Sequence, residues 1–125
     1  MKFSGKNVLV TGASRGIGAE ICKVLASFGL KVWINYRSNP KLADDLKAQI
    51  EADGGSAAVV KFDVTNEEDF IAAINLIIQS DGELSYLVNN AGITNDKLSL
   101  RMSVDDFTAA IAAAQILFIN SNVFA

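Results

Sequence analysis

The fold class this chain predicts is an open, doubly wound α/β sheet, with helices on both faces of parallel strands. Three observations predict it. Apolar, β-rich runs alternate with longer segments of helical periodicity, and those runs are apolar almost throughout, as strands covered on both faces must be. The first run also passes through a glycine-rich turn straight into a helix. Repeated right-handed β-α-β units of this kind stack into one three-layer sheet with strand order 3-2-1-4.

The strands read Asn7–Thr11, Lys31–Tyr36, Ala57–Phe62 and Tyr86–Asn89, and the helices about Gly16–Phe28, Pro40–Ala52, Glu67–Ser80 and Val104–Ala114. End signals agree with each. Asn39-Pro40 supplies a cap and a proline at the first helical position, and Asn66 precedes the acidic turn Glu67-Glu68-Asp69. Ser103-Val104-Asp105-Asp106 is similar to a capping box with Asp in third place. Gly29, Gly54-Gly55 and Gly82 stand where helices should stop. Ile116–Ile119 either prolongs the last helix or forms a fifth strand; four bulky apolar residues followed by Asn120-Ser121-Asn122 favour the strand.

Composition bounds the function. A chain of 125 residues, half of them hydrophobic, fits a single globular domain spanning residues 1–125. A formal charge of −3 without a long basic run argues against a nucleic-acid surface. No apolar run is long enough to span a bilayer and the N-terminus does not read as a secretion signal, so the expected location is cytoplasmic. The single cysteine, Cys22, falls among apolar helix positions and reads as packing rather than chemistry. With no histidine, acid–base work near neutral pH requires a perturbed Lys, Tyr, Asp, Glu or Cys.

Chemistry gathers at the C-terminal ends of the strands. Thr11-Gly12-Ala13-Ser14-Arg15-Gly16-Ile17-Gly18 follows Val8-Leu9-Val10 and opens a helix, whose unpaired amides and dipole suit a pyrophosphate. Gly12, Gly16 and Gly18 let the backbone approach phosphate and pack helix on strand; a turn with packing glycines alone is the alternative. The second strand ends in Asn35-Tyr36-Arg37-Ser38, without the acid that commonly holds a ribose 2′-hydroxyl in an NAD site. Arg37, Ser38 and Arg15 suit a 2′-phosphate instead, which favours NADP(H); otherwise both arginines are solvated surface charges. Asp63 either accepts from an adenine amino group, with Val64 over the ring, or caps its own turn. Asn89-Asn90-Ala91-Gly92 either makes a local turn or lets a ribose approach the chain at Asn90, Ala91 and Gly92.

Thr11-Gly12-x-x-x-Gly16-x-Gly18 and Asn89-Asn90-Ala91-Gly92 together resemble the two cofactor-half motifs of the short-chain dehydrogenase/reductase family, a Rossmann-like fold. Residues 2–103 are most similar to its bacterial 3-oxoacyl-[acyl-carrier-protein] reductase branch, through Gly12–Gly18, Asn35–Ser38, Asn89–Asp96 and Arg101-Met102. The resemblance implies hydride transfer from NADPH to the keto carbon of a β-ketoacyl thioester carried by acyl carrier protein in fatty acid biosynthesis, by a homotetramer. It also implies a Tyr-x-x-x-Lys pair, which is absent: Pro40 stands four places after Tyr36 and Asn90 four after Tyr86. Where the family carries a catalytic asparagine this chain has Ala112-Ala113-Ala114, and Ala109–Ala114 departs abruptly from the pattern. If the fifth strand exists, Ser121 matches the family's carbonyl-orienting serine; otherwise it belongs to a polar tail. The chain thus reads as truncated and inactive alone. It is an incomplete or engineered piece of such a reductase, a non-catalytic dinucleotide-binding module, or an incomplete tracing of a longer enzyme.

Overall fold

The computed structural model describes residues 5–14 and 16–90, and the backbone path of 117–120. Five strands, β1 (Asn7–Val10), β2 (Lys31–Tyr36), β3 (Ser56–Lys61), β4 (Tyr86–Asn89) and β5 (Leu117–Asn120), form one sheet in the order β3-β2-β1-β4-β5. Every pairing is parallel, with Leu9 beside Trp33 and Leu87, and Val88 beside Ile119. The helices α1 (Gly16–Ser27), α2 (Pro40–Ala52) and α3 (Glu67–Asp81) supply the crossovers between β1, β2, β3 and β4. The open parallel sheet expected from the sequence is therefore the fold.

Alternation of side chains across the pleat explains why these strands are apolar throughout. Val8, Val10, Val32 and Ile34 face α1 and α2, burying Ile21, Cys22, Leu25, Leu46 and Ile50 with them. Leu9, Trp33, Val60 and Leu87 point the other way, onto Phe70, Ala73, Ile74 and Ile77 of α3. Phe62 and Phe70 meet edge to face at 5.6 Å and 79°, a geometry worth about 0.5–1.5 kcal/mol beyond area burial. Cys22 is wholly buried in the first cluster, and burial pushes its thiol up to about 12, so it stays protonated and inert.

The caps lie where the sequence puts them. Asn39 accepts from the Lys41 amide and Asn66 from the Asp69 amide, each at 3.1 Å. Gly82 ends α3 in the left-handed region at φ 86°, its N–H bonded to the Ile78 carbonyl at 2.7 Å. The Ile116–Ile119 expectation resolves as a strand shifted by one residue, Leu117–Asn120, and β3 likewise runs Ser56–Lys61 rather than Ala57–Phe62. Pairing with β2 draws Ser56 into β3, opposite Lys31, while Phe62 keeps a bond to the Tyr36 carbonyl at 3.2 Å. The expected helix Val104–Ala114 and the alanine run Ala109–Ala114 lie outside the described residues.

A polar knot closes the opposite edge, where the strands begin. Asp81, at the end of α3, accepts from Asn7 Nδ2 at 2.9 Å, Trp33 Nε1 at 2.7 Å and Lys31 Nζ at 2.7 Å. Asn7 goes on to donate to the Glu83 carbonyl at 2.7 Å and accept from the Ser85 amide at 2.8 Å. The Lys31 ammonium also stands 4.7 Å from the centre of the Trp33 ring. Desolvation pushes the Asp81 pKa up, but the hydrogen bonds from Lys31, Trp33 and Asn7 and the Lys31 charge outweigh it. Its carboxyl is held below the usual carboxylate range.

Candidate functional site

At the C-terminal edge of the sheet, β1 runs into the turn that starts α1. Gly12 and Gly16 adopt φ 58° and 63°, left-handed values that a side chain disfavours, so the turn needs glycine at both. Gly18 serves a different end. A Cβ there would lie 2.4 Å from Asn90 Nδ2, 2.7 Å from the Gly12 oxygen and 2.9 Å from Ala13 Cα. The first turn of α1 therefore packs against the β1 turn at a distance only glycine permits.

Buried polar side chains hold the turn. The Gly12 amide donates to Asn35 Oδ1 at 2.9 Å and the Ala13 amide to the Asn35 carbonyl at 3.0 Å. Thr11, fully buried, accepts from the Asn90 amide at 2.8 Å, and its hydroxyl lies 3.3 Å from Asn89 Oδ1 and 3.4 Å from the Val88 oxygen. Asn90 Nδ2 returns to the Gly12 carbonyl at 3.3 Å. The two motifs at the ends of β1 and β4 are thus in direct contact.

A cleft of about 820 Å³ opens over this edge, bordered by Gly12, Ser14, Gly16, Arg37, Ser38, Asp63, Val64 and Asn90. Eight residues expected from the sequence to contact a dinucleotide therefore share one cleft. Gly18 lies beneath it as a packing residue, and Ile17, 62% exposed, borders a separate apolar groove along α1. Arg15, Ala91, Gly92 and Ser121 lie outside the described residues. Of the two readings of Asp63, the turn cap is realised: Oδ1 accepts from the Thr65 amide at 2.9 Å and hydroxyl at 2.7 Å. Its other oxygen, Oδ2, stands 3.7 Å from Arg37 Nε. The Arg37 side chain is 78% exposed, so that pair is weak and the guanidinium is free to reorient. Asn35 and Thr11 stand outside the site residues expected from the sequence. The signal available for both was a polar residue ending an apolar strand, where it has buried backbone groups to satisfy.

Glycine turn, switch-edge cleft and parallel order together define a doubly wound α/β protein of the Rossmann class. The comparisons narrow that class. The model of the short chain dehydrogenase family matches residues 6–121, and the chain belongs to that family. It is similar to the 3-oxoacyl-[acyl-carrier-protein] reductase of Synechocystis sp., 44% identical over 103 residues, covering 82% of this chain and 42% of the relative. Among solved structures it is similar to a dehydrogenase/reductase from Sinorhizobium meliloti, with TM-score 0.73 and 32% identity, covering 98% of this chain and 56% of that one. A putative dehydrogenase from Burkholderia cenocepacia with bound NADP matches with TM-score 0.65 and 26% identity, over 70% of this chain and 34% of that one. The chain spans less than half the length of the curated relative. No helix among the described residues is long and apolar enough to cross a membrane.

Proposed function

We propose that this chain is the NADP(H)-binding portion, a single domain, of a cytoplasmic reductase that acts on 3-oxoacyl groups carried by acyl carrier protein. The observation that carries the reading is the shared cleft. It joins a glycine turn at a helix start to Arg37 and Ser38, with no acidic residue in the Asn35-Tyr36-Arg37-Ser38 segment that ends β2. Similarity to the Synechocystis reductase supports the substrate class, and the NADP-bound Burkholderia structure supports the cofactor.

The residues present fit the cofactor, since a side chain at Gly18 would push α1 off the turn that must receive the diphosphate. The amides of the turn and the α1 start, with Ser14, would hold the diphosphate. Arg15, Arg37 and Ser38 would hold the 2′-phosphate, Val64 would cover the adenine and Asn90, Ala91 and Gly92 would border the ribose. NADPH, when bound, supplies the hydride. In this scheme Asp63 would accept from the adenine amino group beside Val64. Ser121 orients the substrate carbonyl in this scheme. A homotetramer, as in related reductases, is the proposed assembly.

Calorimetry with both cofactors tests the reading. The unaltered chain should prefer NADPH to NADH, and Arg37→Ala should weaken NADPH roughly tenfold, about 1.4 kcal/mol, while sparing NADH. Equal affinity of the unaltered chain for both cofactors defeats the assignment.

Neither Tyr36 nor Tyr86 has a lysine four residues on, which favours a second reading of this chain as a binding module without chemistry. We expect no NADPH oxidation by the chain alone with a 3-oxoacyl thioester, followed at the NADPH absorbance band. Measurable turnover would overturn that expectation and restore catalysis to these residues.

A further inference from the structure

One side chain ties the two ends of the cleft together, and nothing in the dinucleotide scheme uses it. Asn35, 2% exposed, sits at the C-terminal end of β2 between the glycine turn and the segment after β3. Its Oδ1 accepts from the Gly12 amide at 2.9 Å, while its main-chain carbonyl accepts from the Ala13 amide at 3.0 Å. Two consecutive amides of the turn are therefore anchored on one residue. Its Nδ2 faces the opposite way, donating to the Phe62 carbonyl at 3.1 Å, with the Val60 carbonyl at 3.4 Å. Phe62 immediately precedes Asp63 and Val64, which border the far end of the cleft.

The chemistry of the position admits few substitutes. One end must accept from an N–H and the other must donate to carbonyls, across a span of one amide group. Aspartate lacks the donor, leucine lacks both functions, and flipping the amide would set N–H against N–H and oxygen against oxygen. Gly12, at φ 58°, is also a residue that visits many backbone conformations at similar cost, so its hydrogen bonds must select this one. Its anchor is therefore part of what keeps the turn open.

We propose that Asn35 is a positioning residue of the cleft: it fixes the glycine turn against the end of β3, so that the diphosphate and adenosine subsites are presented in register. The proposal rests on the reading of the cleft as a dinucleotide site. Asn35 lines the cleft, but both ends of its amide are bonded to protein, so the residue acts through Gly12 and Phe62.

The test titrates the full chain and Asn35→Ala with NADPH and, separately, with adenosine 2′-phosphate. Both probes carry adenosine and the 2′-phosphate, and only NADPH carries the diphosphate that the turn receives. Damage at the β3 end, or a loss of folded protein, lowers both affinities alike and cancels in their ratio. The NADPH-to-adenosine 2′-phosphate affinity ratio should fall at least fivefold in Asn35→Ala. An unchanged ratio overturns the proposal while leaving the functional reading intact. Failure of the unaltered chain to bind NADPH defeats both.

Amide hydrogen exchange in the unaltered chain keeps the idea testable if the variant does not fold. Gly12 N–H should be protected through its bond to Asn35; exchange at the rate of an open turn rules the anchor out.

Discussion

Gly18→Ala is expected to destabilise the chain by about 3 kcal/mol and to weaken NADPH binding beyond measurement, because one methyl group has nowhere to go. Two of the three atoms it would strike, the Gly12 oxygen at 2.7 Å and Ala13 Cα at 2.9 Å, are backbone that cannot rotate away. The third, Asn90 Nδ2 at 2.4 Å, can move only by giving up its bond to the Gly12 carbonyl. Relief must come from tilting α1 off β1, which opens the contact with Val8, Val10 and Val32 under Ile21, Cys22 and Leu25. The same tilt displaces the amides that would receive the diphosphate. Gly16→Ala provides the contrast, since nothing lies within 4 Å of its Cβ position and only the φ of 63° resists. That variant should lose about 1–2 kcal/mol. Urea midpoints of the two variants check the ordering. Gly18→Ala within 0.5 kcal/mol of the unaltered chain would show that the helix–turn contact is looser than its geometry requires.

Legibility in the sequence followed how local each cause is. Strands buried on both faces leave an unbroken apolar run such as Val8-Leu9-Val10, and caps such as Asn39 and Asn66 act within three residues, so both were readable. The glycine turn was readable because its demand falls on backbone angle and closeness, which residue type alone expresses. Strand ends were less so: Ser56 joins β3 through its register with Lys31, a pairing between residues far apart in the chain. The turn-capping role of Asp63 likewise becomes visible only in the fold, where Oδ1 accepts from Thr65 at 2.7–2.9 Å. The roles of Asn35 and Thr11 are not legible in the sequence because their partners, Gly12, Phe62 and Asn90, converge only once four strands are side by side. The Asp81 knot was invisible for the same reason, drawing Asn7, Lys31 and Trp33 from two strands onto the last residue of a helix.

That knot gives the second large effect. Asp81→Ala is expected to cost on the order of 3 kcal/mol, since it strands three donors at once. Trp33, 5% exposed, would keep a buried indole N–H without a partner, and Lys31 would keep an ammonium whose side chain is only 33% exposed. Asn7 would lose one of the bonds by which it joins β1 to the segment leading into β4. The pH dependence carries the same cause. The folded Asp81 carboxyl titrates below its unfolded value of about 3.9, so its contribution is complete above that value and fades as pH falls through the folded pKa. Lowering the pH from about 5 to 2 should therefore destabilise the unaltered chain more steeply than Asp81→Asn, which cannot titrate there. Above about pH 5 the two stability curves should run parallel, with the variant lower. Denaturant titrations at stepped pH measure both slopes. Parallel acid limbs would mean that the carboxylate charge is not what Lys31, Trp33 and Asn7 hold, and that shape alone keeps the strand starts together.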